Sequence, residues 1–344
     1  MKNELIDILS IENRNHLLEE IKSTSELNEI NNKTELYAFF ADPADHSLSP
    51  LMYNTSFREL GMNRCYFASC IPDGGIRKAM VKVRTLGIKG VNISMPHKQS
   101  VIGELDEIDE LAELCEAVNT VVAYDANYER MQMPSDSSAF DTRWRSEDSF
   151  GEIILKGYNT DALGAAMAIK EMGIDISGKD VVLFGLGGAG KAVLSGLAKE
   201  GAKGISVFVR SDNPDYHIFA KKISNYYSGT LISICNLNQK ELLRDKVLNS
   251  HILVNCTNVG MGNLEGYSII PDESYLHKDL FVMDAIYSPS KTRLLEQAES
   301  AGCKNCINGL PMLINQGVVA FELYTGEKMP VEIIRDTLLL TSII

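Results

Sequence analysis

From residue 35 onward the chain alternates short apolar runs with longer amphipathic ones. LYAFF, RCYFAS and GIKGVNIS read as strands, with helices near 50–60 and 73–86 between them. The acidic run ELDEIDELAELC reads as two helical turns and leads into another strand, VNTVVAY. A second series begins near residue 160. ALGAAMAIKEMG is helical, DVVLFG is a strand that is apolar after its opening Asp180, KAVLSGLAKEG is helical and GISVFVR is the next strand. TLISIC, HILVNC and LFVMDA follow as strands, and PMLINQGVVAFELYTG and PVEIIRDTLLL close the chain as helices. Apolar strands alternating with helices predict a parallel sheet covered on both faces. Two stretches fall outside this rhythm. Residues 1–33 are polar, with helical spacing of Leu5, Ile6 and Leu9 and of Leu17, Leu18 and Ile21, and read as an N-terminal extension. Residues 125–150 lack periodicity and read as the elaborated tip of a hairpin whose returning strand is IILK.

Composition narrows the function classes. A length of 344 residues fits two domains. A net charge of −13 argues against a nucleic-acid partner, which requires clustered Lys and Arg. No apolar run reaches the ~18 residues that span a membrane. The acidic, interrupted start MKNELIDILS lacks the form of a secretion signal, so a cytoplasmic location is expected. The seven cysteines are odd in number and scattered, as reduced thiols would be. Cys303 and Cys306 form a C-x-x-C with no second pair, so they read as ordinary thiols and no metal is predicted.

DVVLFGLGGAGKA sets Gly185, Gly187 and Gly190 as G-x-G-x-x-G between a strand and a helix, the context that gives this motif meaning. Gly185 permits the tight turn, Gly187 lets the backbone approach a pyrophosphate, and Gly190 permits close helix–strand packing. Gly188 and Ala189 keep the turn bare, and the helix offers its free N–H groups to phosphate. The next strand ends VFVRSDN. Arg210 and Ser211 suit the 2′-phosphate of NADP, whereas Asp212 could take a ribose hydroxyl of NAD. The balance leans to NADP with NAD retained. The predicted architecture is an α/β substrate domain over 34–158, completed by 310–344, and a doubly wound Rossmann NAD(P)-binding domain over 159–309.

Two further stretches carry polar groups at element boundaries. In HSLSP, Ser49 before Pro50 reads as an N-cap followed by Pro at the first helical position. That leaves Ser47 without a structural role, and two hydroxyls beside a helix N-terminus suit a small carboxylate. In VNISMPHKQ a strand stops at Pro96 and Lys98 follows, either as a solvated loop charge or as a proton donor at a strand end.

Taken in order, HSLSP (46–50), NISMPHK (92–98), AVNT (117–120), GYNTD (157–161), GLGGAGKA (185–192), YSP (287–289) and GLPMLINQG (309–317) give the chain its resemblance to the shikimate dehydrogenases and their quinate/shikimate dehydrogenase relatives. The resemblance covers roughly residues 35–340. It implies NAD(P)H-dependent reduction of 3-dehydroshikimate to shikimate in aromatic amino-acid biosynthesis. It also implies catalytic roles for Lys98 and Asp161, and substrate contacts from Ser47, Ser49, Asn92, Ser94, Asn119, Tyr287 and Gln316. The chain departs from the family's pattern at Ser94 (commonly Thr), at Ala162 (often Gly), in the longer 125–150 segment and in the first 33 residues.

The implied chemistry suits these residue types. Hydride transfer to a ketone leaves an alkoxide that needs a proton, and a lysine held by a carboxylate can supply one. A polyol ring needs amide and hydroxyl partners, which Asn92, Asn119 and Gln316 provide. The rivals are a quinate or dual-specificity dehydrogenase, and a ligand-sensing module that has lost turnover. A sensor has no need for both Lys98 and Asp161, so their joint presence favours an enzyme. The partner expected is a small-molecule substrate, with a homodimer left open.

Overall fold

The computed structural model describes residues 30–45, 47–125 and 153–341. The expected N-terminal helices, most of the 125–150 segment and His46 lie outside the described residues. Among the described residues the helices are α1 (Ser49–Glu59), α2 (Ile76–Thr85), α3 (Glu110–Cys115), α4 (Thr160–Glu171), α5 (Gly188–Lys199), α6 (Pro214–Tyr226), α7 (Lys240–Leu248), α8 (Arg293–Ser300), α9 (Leu310–Thr325) and α10 (Val331–Thr341).

Two six-stranded sheets carry the fold. The first contains β1 (Glu35–Ala41), β2 (Arg64–Cys70), β3 (Gly90–Ile93), β4 (Glu107–Ile108), β5 (Thr120–Asp125) and β6 (Ile153–Tyr158), in the order β2-β1-β3-β5-β6-β4. β1, β2 and β3 are parallel, while β5 runs antiparallel to both β3 and β6. The β5–β6 pair is the expected hairpin. Side chains alternate along β1: Ala38 and Phe40 pack with α2, and Tyr37 and Phe39 pack with α1, α9 and α10. The last two helices thus return to the first sheet.

The second sheet contains β7 (Asp180–Phe184), β8 (Gly204–Val209), β9 (Leu231–Asn236), β10 (Ile252–Asn255), β11 (Phe281–Asp284) and β12 (Asn305–Ile307). All its pairs are parallel, in the order β12-β11-β10-β7-β8-β9. The winding reverses between β7 and β10, the doubly wound arrangement whose crevice lies beyond the carboxyl ends of the central strands. Separate apolar layers cover its two faces, one through α4, α5 and α6 and the other through α7 and α8.

Two local readings need correction. The acidic run is not two helical turns: a 3-10 turn over Ser100–Glu104 leads to the two-residue β4, and α3 starts only after Asp109. The Asp109 carboxylate accepts the Ala112 N–H at 2.9 Å, so the acid that looked like helix interior is the cap that starts the helix. Ser49 is likewise not the N-cap of α1 but its first residue; Leu48 holds the cap position, and the Ser47 hydroxyl accepts the Ser49 N–H at 3.2 Å. The serine without an expected structural role is the one that serves the helix start.

Helix α4 joins the two halves by close packing on both sides. A methyl group at Gly164 would lie 2.6 Å from the Gln316 nitrogen of α9, and one at Gly196 of α5 would lie 2.2 Å from the Ala162 carbonyl of α4. The small residues of ALGAAMA are what let three helices approach this closely. Among the described residues no helix is long and apolar enough to cross a membrane.

Candidate active site

Lys98 follows β3 and Asp161 opens α4, 63 positions later in the chain. Their side chains meet: Lys98 Nζ donates to Asp161 Oδ2 at 2.6 Å, with side-chain exposures of 16 % and 10 %. Each is placed by backbone contacts of its neighbours. The Val118 N–H donates to the Lys98 carbonyl at 2.8 Å, and the Asn159 side chain caps α4 by accepting the Ala162 N–H at 3.1 Å. Asp161 therefore lies in the first turn of a capped helix, where the macrodipole favours an anion. The pairing is charge-assisted and fixes the direction of the ammonium.

Behind the pair lies a buried polar network. Asn119 Oδ1 accepts the Thr160 N–H at 2.7 Å, and its Nδ2 donates to Thr160 Oγ1 at 3.0 Å and to Gln316 Oε1 at 3.4 Å. The Gln316 amide nitrogen is occupied by the Leu313 carbonyl at 2.9 Å. Asn92 Nδ2 donates to Thr120 Oγ1 at 3.2 Å, and Asn92 Oδ1 accepts the Tyr66 hydroxyl at 2.7 Å. Tyr66 is stacked on Tyr53 with ring centroids 4.3 Å apart. Asn92, Asn119 and Gln316 thus belong to one connected set of amides and hydroxyls, while Ser49 is buried at the start of α1. Burial raises the Tyr66 phenol well above its ordinary range, so it serves as a neutral donor.

Sequence reasoning missed Tyr66, Thr120 and Thr160. The two threonines sit inside AVNT and GYNTD, beside residues that were singled out, and that adjacency was the available signal. Tyr66 had none, because nothing in RCYFAS points to a partner 26 positions away.

The remaining candidates stand at the rim. Ser94 is half-buried, with its N–H given to the Phe40 carbonyl at 2.9 Å. Tyr287 is half-buried in the loop after β11, and burial raises its phenol pKa. That loop is anchored by the buried Asp284, which accepts from the Ile286 N–H at 3.1 Å and the Thr292 hydroxyl at 2.7 Å. His97 lies fully buried, its Nε2 2.6 Å from the Ile71 carbonyl, so it braces the Lys98 loop from within.

The glycine loop faces this site. Gly185 has φ 85°, and a methyl group at Gly190 would lie 2.3 Å from the Gly185 carbonyl. Around Gly187 there is open space, and α5 begins there with no side-chain cap. Bare N–H groups at an uncapped helix start, in open space, fit the pyrophosphate of a dinucleotide. A methyl group at Gly188 would come within 3.6 Å of Lys98 Cδ, so the turn passes directly beside the lysine stem there, and Ala189 follows in the first turn of α5. Arg210, Ser211 and Asp212 are exposed beyond β8 and take no part in the polar network. Asp212 Oδ1 is 2.7 Å from His217 Nε2 of α6. Among the described residues no group of three or more His, Cys, Asp and Glu could hold a metal ion.

The chain is similar to known proteins. Residues 39–121 match the family described as shikimate dehydrogenase substrate binding domain, and residues 309–339 match the shikimate 5'-dehydrogenase C-terminal domain. A shikimate dehydrogenase (NADP(+)) of Alkaliphilus metalliredigens is 38 % identical over 314 residues, covering 90 % of this chain and 98 % of that protein. The crystal structure of shikimate 5-dehydrogenase from Listeria monocytogenes, in complex with shikimate and NAD, is 35 % identical with a TM-score of 0.75, covering 90 % of this chain and 98 % of that one. Quinate dehydrogenase from Corynebacterium glutamicum, in complex with NAD, is 28 % identical with a TM-score of 0.73, covering 89 % and 99 %.

Proposed function

The chain belongs to the shikimate dehydrogenase family, and from that premise we propose that it interconverts 3-dehydroshikimate and shikimate with a nicotinamide dinucleotide, using Lys98 and Asp161 to handle the proton. The observation that carries this reading is the 2.6 Å contact between an ammonium and a carboxylate that follow the carboxyl ends of β3 and β6, beside a bare glycine loop. When bound, the dinucleotide supplies or accepts the hydride. In the reducing direction Lys98 would give a proton to the ketone oxygen as negative charge develops there, so ketone, hydride and proton together make the alcohol. Asp161 holds the ammonium in place for that transfer. The partial exposure of Lys98 leaves it a route to recover a proton from water. Proton donation of this type contributes about 10² to 10⁴ in rate.

Ser47 and Ser49 supply hydroxyls for the substrate carboxylate. Asn92, Asn119, Gln316 and Tyr287 read the ring hydroxyls, and Ser94 adds a hydroxyl at the strand end. The glycine loop from Gly185 to Gly190 holds the pyrophosphate. Arg210 and Ser211 take the 2′-phosphate of NADP, which is the favoured cofactor. The engagement of Asp212 by His217 supports that preference, because it occupies the carboxylate that would otherwise meet a ribose 2′-hydroxyl.

The experiment is direct. Purified protein is mixed with shikimate or quinate and with NADP or NAD, and reduced cofactor is followed by absorbance. Turnover of shikimate with NADP is expected to exceed the other combinations. Faster turnover of quinate would move the assignment to a quinate dehydrogenase, and absence of turnover in all four mixtures would refute the enzyme reading.

A further inference from the structure

The two halves of the molecule are tied together at a place the chemistry does not touch. Helix α3, from the first half, ends at Glu116, whose φ of 52° and ψ of 34° lie in the left-handed region. Among the described residues it is the only non-glycine residue with positive φ. Such a helix end favours glycine, so a glutamate there is held by something beyond the backbone. Its Oε2 accepts from Lys191 Nζ of α5, and its Oε1 lies 3.6 Å from Lys222 Nζ of α6. Lys191 is itself buried, with its ammonium 4.7 Å from the centre of the Phe219 ring. Lys222 also donates to the Glu113 carbonyl at 2.7 Å, and the Tyr226 hydroxyl donates to Glu110.

Both ends of this tie lead to the site. Lys191 follows Gly190, the last glycine of the loop. Glu116 precedes Ala117, Val118 and Asn119; Val118 holds the Lys98 carbonyl and Asn119 joins the buried network. A shift of α3 against α5 would therefore change how Gly188 stands against the Lys98 stem.

We propose that Glu116 is a positioning residue for the dinucleotide: its carboxylate, gripped by Lys191 and Lys222, fixes the glycine loop relative to Lys98 and Asp161. This rests on the dehydrogenase reading above. It goes beyond it because Glu116 touches neither the reacting atoms nor the phosphate-binding turn.

The test uses Glu116→Gly in the full chain. Glycine relieves the left-handed backbone but removes the whole side chain, and with it the partner of the buried Lys191, so the two effects oppose each other and the melting temperature is expected to change little. NADPH binding, followed by its fluorescence on titration, is expected to weaken by about two- to tenfold, the lower part of the range for coupled neighbours. The kcat falls with it, while KM for shikimate stays at the parent value. A merely structural glutamate would move stability and leave this split untouched. NADPH binding that is unchanged or tighter in a normally folded variant overturns the proposal; tighter binding would mean that Glu116 restrains the Lys191 charge rather than the loop. Should Glu116→Gly melt lower than the parent, Lys222→Met on the accessible face of α6 decides: weaker NADPH binding supports the tie, and unchanged binding overturns it. A parent protein that turns over shikimate but shows no such effects in its variants fails this inference alone. A parent that neither binds NADPH nor turns over shikimate fails the function, and this inference falls with it.

Discussion

The two sides of the crevice are built by opposite means. On the first sheet's side the wall is built from side chains: Tyr66, Asn92, Asn119, Thr160 and Gln316 are buried and bonded to one another. On the second sheet it is built from their absence. Gly185, Gly187 and Gly190 expose backbone, and the groups that would choose between cofactors, Arg210 and Ser211, stand in solvent. Preorganised amides suit a polyol ring that must be held in one pose, since a small misplacement costs rate. A pyrophosphate needs only N–H groups and room. Damage should therefore come from removing atoms on one side and from adding them on the other.

The largest effect is expected for Lys98→Ala. It should lower kcat by about 10² to 10⁴ and leave KM for shikimate within a few-fold, as steady-state kinetics would show. A comparable loss in both parameters would make Lys98 a binding group and erase its distinction from the network behind it. Next is Gly187→Ala. The added methyl meets nothing in the protein, so the melting temperature should hold, while NADPH affinity should fall by roughly tenfold to a hundredfold because the phosphate can no longer approach. The contrasting change, Gly190→Ala, should lower the melting temperature as well, since its methyl would press on the Gly185 carbonyl.

A smaller loss is expected on the substrate side for Asn119→Ala. It leaves the Thr160 N–H without its acceptor and should destabilise the fold by about 1–3 kcal/mol in chemical denaturation, with a raised KM for shikimate. The smallest effect is expected for His217→Ala. Its exposed contact with Asp212 is worth at most about 1 kcal/mol. Releasing that carboxylate should shift the ratio of NADP to NAD efficiency towards NAD by no more than about fivefold.

The same contrast explains what could be read in advance. The glycine loop is local: its residues are contiguous, and its strand–turn–helix setting is written around it. Lys98 and Asp161 are distant in the chain, and only the ordered motifs of a known family pointed to their association before the coordinates placed them together. The network behind them resisted reading because its contacts join strands by register. Tyr66 reaches Asn92 only because β2 and β3 both flank β1, a fact of sheet order that no single segment carries. Local misreadings had the same root. The acidic run around Asp109 has helical composition throughout, and the break at β4 comes from parallel pairing of Glu107 and Ile108 with Lys156 and Gly157. The role of Ser47 was hidden because the Ser49–Pro50 pair alone looked sufficient to start α1, whereas the Ser47 hydroxyl takes the Ser49 N–H.

Helix α4 carries a last consequence. It is the segment by which the chain passes from one sheet to the other, and glycine-mediated contacts clamp it to α9 on one side and α5 on the other. Asp161 stands at its first turn, so the carboxylate is seated by packing from both halves at once. A larger residue at Gly164 or Gly196 would therefore displace the group that holds the Lys98 ammonium, although neither glycine touches it.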